Sequence, residues 1–219
     1  MKLARQLERR LEDALDHLAG KIFRGGLHVS ELAARVAREA ELAEFNTPAG
    51  PATANRYSLL INPENLDGDP EPLARRLQLA FAELAAERGW RLQGPVIIEL
   101  RTDGAVTIGA VSSAATVEVG PIPCWAQLTD EEGRVALINH NRAIIGRSLE
   151  ADVVIDYPEV SRTHALVFRQ DGQTYVADLG SSNGTWIDGQ RVGTTPVPAN
   201  TLATLNLGSH SLRLTPCRN

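Results

Sequence analysis

Three short groups of residues in the back half of this 219-residue chain have the types and spacing to hold a phosphate without reacting with it. They are Gly146-Arg147, Ser161-Arg162-Thr163-His164 and Gly180-Ser181-Ser182-Asn183-Gly184-Thr185. A phosphate monoester needs a permanent cation. Arg147 supplies one, as a planar fork of donors that keeps its charge. The remaining lone pairs need neutral donors. The hydroxyls of Ser161 and Ser182 and the N–H groups of the loops can provide them. Asn183 can donate and accept at once through its amide, which suits it to holding an extended peptide backbone. Gly146 and Gly184 read as turn glycines.

Each group lies where a short apolar run hands over to turn residues. From residue 135 onward, runs of strand composition alternate with turns. Examples are Ala143-Ile144-Ile145, Val153-Val154-Ile155, Ala165-Leu166-Val167-Phe168 and Thr185-Trp186-Ile187. Asp171-Gly172, Asn183-Gly184 and Asp188-Gly189 separate such runs, and no helical period survives. This pattern predicts a β-sandwich over residues 134–219.

The front half has a different texture. Leu3, Leu7, Leu11, Leu15, Leu18 and Ile22 recur at helical steps and predict a helix over 3–24, stopped by Gly25-Gly26. A second helix is expected from an N-cap at Ser30 to about Phe45-Asn46, then a loop over 46–55. Arg56–Ile61 has strand composition. Asp69-Pro70 opens a third helix that Gly89 closes. Runs at 95–100 and 105–110 around Asp103-Gly104 read as a hairpin. The expected architecture is an α+β N-terminal domain over 1–120, in the order helix-helix-strand-helix-strand-strand. A linker follows over 121–133, with Trp125 tucked against one domain, and then the all-β domain.

Charge narrows the function. Residues 1–133 hold 14 Lys+Arg against 20 Asp+Glu, and residues 134–219 hold 8 against 7. An acidic front half argues against a nucleic-acid grip. No apolar run is long enough to span a bilayer, and the first residues lack the apolar core of a signal peptide, so a cytoplasmic protein is expected, recruited to a membrane only through partners. No Walker or dinucleotide fingerprint, carboxylate pair or metal-ligand spacing is present. Neither an enzyme nor a cofactor is expected. Cys124 and Cys217 read as two unpaired thiols; a disulfide would require the fold to bring the domain junction to the C-terminus.

The back-half motifs, in their order and spacing, resemble a forkhead-associated (FHA) domain. The resemblance runs from Gly146-Arg147-Ser148 through Ser161-Arg162-Thr163-His164 and Asp178–Thr185 to Asp188-Gly189-Gln190-Arg191-Val192. It implies an FHA-type sandwich that binds phosphothreonine, with Arg147, Ser161, Arg162, Ser182 and Asn183 as ligand contacts. Gly146, His164 and Gly184 would be structural supports. Thr163 is expected to face away. Glu159 lies in the loop that, in this family, helps choose the third residue after phosphothreonine. A carboxylate there should disfavour acidic residues at that position.

In the front half, Lys21–Ala33, Asn55-Arg56-Tyr57 and Glu87-Arg88-Gly89-Trp90 resemble a small bacterial domain found ahead of FHA domains. That resemblance implies partner binding near cell-envelope synthesis, and no activity. The expected partners are a phosphothreonine protein, either a Ser/Thr kinase or its substrate, and an unidentified partner of the front domain. The alternative is phosphorylation-regulated self-association through Thr129, Thr47 or Thr53.

Overall fold

The computed structural model describes residues 5–7, 9, 23–24, 27–170, 172–200 and 202–217. Of the expected helix over 3–24, residues 5–7 and 9 are helical, whereas Phe23 forms an antiparallel bridge to Leu66 instead; the rest, with the Gly25-Gly26 stop, lies outside the described residues. The chain divides into two compact units. The first draws on residues up to Asn46, on Pro51–Ala85 and on Leu92–Pro121. The second takes Thr47–Gly50, Ala86–Arg91 and everything from Ile122 onward.

In the first unit, α1 (Val29–Leu42) buries Val29, Leu32, Ala33, Val36, Ala37 and Ala40 on one stripe. It begins one residue before the expected cap. His28 holds the N-cap position and Val29 is drawn into the buried stripe. Strands β1 (Phe45–Thr47) and β2 (Gly50–Ala52) pair in the region expected to be a loop. Strand β3 (Arg56–Ile61) alternates, with Tyr57, Leu59 and Ile61 inside. Helix α2 (Glu71–Glu87) starts where expected, and the Glu71 N–H donates to Asp69 Oδ1 at 3.0 Å.

The hairpin expected around Asp103-Gly104 does not form. Strand β4 (Ile97–Thr102) pairs parallel to β3, and β5 (Val111–Thr116) pairs antiparallel on β3's other side. The cause is the helix between β3 and β4. A strand–helix–strand crossover returns the chain in the same direction, so β4 must run parallel. Residues 105–110 serve instead as a loop. Asn62 Nδ2 donates to Val106 O at 2.7 Å and Gly109 N–H to Asn65 Oδ1 at 2.8 Å.

The second unit is a sandwich. One sheet has the order β13-β12-β15-β16-β6-β7 and the other β14-β11-β10-β8-β9. The strands are β6 (Ala126–Asp130), β7 (Val135–Ile138), β8 (Arg142–Gly146), β9 (Val153–Val154), β10 (Ala165–Gln170) and β11 (Gln173–Asp178). Then come β12 (Thr185–Ile187), β13 (Gln190–Val192), β14 (Val197–Ala199), β15 (Ala203–Leu207) and β16 (His210–Pro216). Leu128, Ile145, Val167, Val176, Leu205 and Leu212 are among the side chains buried between the sheets. Full burial of each such side chain is worth about 1.5–3 kcal/mol.

Strand β6 falls inside the expected linker. It pairs with both β16 and β7, so residues 126–130 belong to the sandwich. The acidic run after it closes the β6–β7 turn, where Arg134 bridges Asp130 and Glu132. Trp125 packs against the sandwich core and donates from Nε1 to His140 O at 2.8 Å.

The two cysteines are a further correction. Cys124 just precedes β6 and Cys217 just follows β16, and antiparallel pairing brings these ends together. They form a disulfide with a Cα–Cα distance of 6.0 Å. Because the pair lies 93 residues apart in sequence, closing the loop restricts the unfolded chain by up to about 4–5 kcal/mol. Reduction, or Cys217→Ser, should therefore lower the thermal unfolding midpoint by several degrees, read by circular dichroism with and without dithiothreitol. An unchanged midpoint would contradict the pairing.

Candidate functional site

Strand register assembles the site. Ala165, the first residue of β10, sits opposite Ile145 on one side and Asp178 on the other. The loops that follow β8, precede β10 and follow β11 therefore emerge at one end of the sandwich. They surround an open depression of about 350 Å³, and Arg147, Ser161, Arg162, Ser182 and Asn183 all line it. Glu159 lines it too, as does Thr163, contrary to the expectation that Thr163 would face away.

His164 ties two of these loops together. Its side chain is fully buried. The Ser161 N–H donates to Nδ1 at 2.9 Å, so Nδ1 must be an acceptor. The proton then lies on Nε2, which donates to Gly184 O at 2.9 Å. The imidazole is a strut between the 161 and 184 loops.

The glycines have separate reasons. A Cβ on Gly146 would lie 2.0 Å from Arg162 O, so β8 could not approach the 161–163 loop. That approach carries Arg147 N–H→Ser161 O at 2.9 Å and Ser148 N–H→Arg162 O at 3.2 Å. Gly184 has φ +85°, and a Cβ there would also strike the Trp186 ring at 2.8 Å.

The donors are partly committed already. Arg147 Nε donates to Val160 O at 3.2 Å; its two terminal nitrogens make no hydrogen bond among the described residues. The Ser182 N–H donates to Ser161 Oγ at 3.0 Å, which leaves the Ser161 hydroxyl proton to point elsewhere. Asn183 Nδ2 donates to Glu159 O at 2.9 Å, so its amide also pins the loop that carries Glu159. That loop is held from behind, where Tyr157 stacks on His210 at 3.7 Å with the Arg134 guanidinium 5.1 Å from the Tyr157 ring. The arrangement offers a cation fork and two hydroxyls.

Asp178 was not singled out as a site residue. It ends β11 and accepts bonds from Gly180 N–H, Ser181 N–H and the hydroxyls of Ser181 and Thr185. The signal was an Asp at a strand end followed by Gly-Ser, a pattern suited to side-chain capping of a turn. Trp186 buttresses Gly184 and remains half-buried.

Burial alone would push the Asp178 carboxyl up. The Ser181 and Thr185 hydroxyls and the N–H groups of Ser181 and Gly180 outweigh it and hold the carboxyl below the usual carboxylate range. A depressed folded pKa means stability present above the unfolded value of about 3.9 and lost as pH falls through the lower folded value. The stability gap between the wild type and Asp178→Asn should therefore be widest near neutral pH and shrink below about pH 4. Urea unfolding across pH checks this, and a gap that widens in acid would contradict it.

The FHA domain family matches residues 143–208, and the family described as the FhaA N-terminal domain matches residues 4–113. A relative described as an oxoglutarate dehydrogenase inhibitor, from Corynebacterium efficiens, is 29% identical over 55% of this chain and 75% of its own. Its namesake from Corynebacterium diphtheriae is 42% identical over 39% of this chain and 59% of its own. The FHA domain-containing protein FhaB of Mycolicibacterium smegmatis is 32% identical over 41% of this chain and 60% of its own. Among solved structures, Mycobacterium tuberculosis EmbR in complex with a low-affinity phosphopeptide aligns with TM-score 0.40 and 27% identity, covering 44% of this chain and 25% of that one. The FhaA FHA domain complexed with the intracellular domain of Rv3910 aligns with TM-score 0.37 and 24% identity, covering 41% and 98%. The FhaA N-terminal domain model covers half of this chain and an FHA domain follows it, so the chain belongs to the FhaA N-terminal domain family.

Proposed function

We propose that this protein is a non-enzymatic adaptor whose FHA domain docks on phosphothreonine in a partner protein while its front unit engages a second partner. One observation carries the reading. Arg147, Ser161, Arg162, Ser182 and Asn183 come from three loops far apart in sequence and line one depression.

In this reading the terminal nitrogens of Arg147 and the hydroxyls of Ser161 and Ser182 take the phosphate oxygens. Charge-assisted bonds of this kind are worth about 1.5–3 kcal/mol each. Arg162 stands at the rim as a second cation. Asn183 reads the peptide backbone beside the phosphothreonine. Glu159 meets the residue three places after it and disfavours a carboxylate there. The partner is a Ser/Thr kinase or one of its substrates. A relative described as an enzyme inhibitor is compatible with control by docking. The front unit's partner, and a place near cell-envelope synthesis, belong to the same proposal. Among the described residues no helix is long and apolar enough to cross a membrane. Recruitment to a membrane would then run through partners.

The self-association reading loses ground on its acceptors. Thr53 is fully buried, and its hydroxyl donates to Ala40 O at 2.6 Å. Thr129 lies inside β6, between Arg213 and Val135. Thr47 donates to Gly50 O at 2.7 Å. A kinase needs an extended, accessible segment, and β6 would have to leave its sheet to supply one.

The test is titration with a phosphothreonine peptide selected from an oriented library, followed by calorimetry. Arg147→Ala should weaken binding at least about 30-fold, the loss of one or two charge-assisted bonds, while the thermal midpoint stays close to wild type. Normal binding by Arg147→Ala would show that the site is misplaced. In the same library, Glu159→Gln should raise tolerance for acidic residues at the third position after phosphothreonine, and no change there would remove Glu159 from the specificity role.

A further inference from the structure

Asp178 stands behind the depression rather than on its lining. It is the last residue of β11 and only 9% exposed. Its Oδ1 accepts the N–H groups of Gly180 at 2.8 Å and Ser181 at 2.9 Å. Its Oδ2 accepts the hydroxyls of Ser181 at 2.5 Å and Thr185 at 2.6 Å. The Ser181 hydroxyl then accepts the Gly184 N–H at 3.0 Å. One carboxylate thus fastens Gly180, Ser181 and Thr185 directly, and Gly184 through Ser181. Ser182 and Asn183 are the two loop residues it does not hold.

We propose that Asp178 is the positioning residue of the phosphothreonine site, folding the 180–185 loop around its carboxylate so that Ser182 and Asn183 are presented to the ligand. The proposal rests on the phosphothreonine reading above. It also answers an electrostatic objection. An open carboxylate close to a phosphate would repel it. A carboxylate has about four lone-pair positions, and all of Asp178's are taken by donors of its own loop. The charge is spent on the loop and is shielded from the ligand by the groups it organises.

A merely structural Asp178 would hold the sandwich together without acting through Ser182. A double-mutant cycle separates the two roles. The full chain is titrated with one fluorescent phosphothreonine peptide selected from the library, comparing wild type, Asp178→Ala, Ser182→Ala and the double variant. Circular dichroism fixes a temperature at which all are folded. The expected result is a loss of about tenfold or more for Asp178→Ala, with Ser182→Ala costing little once Asp178 is gone. Asp178→Asn should recover much of the affinity. Its Oδ1 keeps both N–H bonds, and its amide can donate to the two hydroxyl oxygens.

Losses that multiply independently, or wild-type affinity in Asp178→Ala, would overturn the positioning role while leaving the binding reading intact. If Asp178→Ala does not fold, the cycle is run with Asp178→Ser, which cannot hold all four donors, and there too Ser182→Ala should cost less than in wild type; equal costs would overturn the role. A wild type that binds no phosphothreonine peptide of the library overturns the binding reading, and this inference with it.

Discussion

The site depends on one buried imidazole. His164 receives a hydrogen bond from Ser161 N–H and gives one to Gly184 O, so a single rigid ring sets the spacing between two loops that are not neighbours in sequence. Both contacts require the neutral ring with its proton on Nε2. Replacing the ring by a small apolar side chain would leave the Ser161 N–H without its partner in a partly buried place, a cost of about 1 kcal/mol. Gly184 O would keep a second donor, the Gly208 N–H at 2.9 Å. The 161 side of the strut is thus the more exposed to loss.

Around this strut the loops are held by close backbone approach and by a carboxylate. Gly146 lets β8 come against the 161–163 loop, and Gly184 lets its loop sit on Trp186. Asp178 closes the 180–185 loop from within. Asn183 and Glu159 then join the third loop to the second. The result is a set of loops fixed to one another, with the terminal nitrogens of Arg147 unengaged among the described residues. A phosphopeptide bound as proposed would meet loops already fixed rather than order a loose surface, which lowers the entropy lost on binding.

How much of this was legible in sequence follows from the range of the forces involved. Turn chemistry is local, so the glycine-punctuated strands of the sandwich and the three phosphate-friendly groups could be read directly. The role of Asp178 was also local but was hidden, because an Asp before Gly-Ser looks like any turn. Pairing partners were not legible. Strand β6 looked like a linker because its turn is acidic, although β16 and β7 both claim it. The 105–110 run looked like a hairpin arm because Asp103-Gly104 is a turn signal, but the α2 crossover had already made β4 parallel to β3. The cysteine pair is the extreme case, since its ends meet only through the β6–β16 ladder.

The proposed fit of a phosphothreonine to a site built in advance by three loops decides the function. It is tested most directly by titrating the 15N-labelled protein with a phosphothreonine peptide and with its unphosphorylated counterpart. Amide shifts confined to residues 146–148, 159–164 and 180–184, produced by the phosphorylated peptide alone, are the expected result. Shifts of equal size with both peptides, or shifts centred on another face of the sandwich, would contradict it.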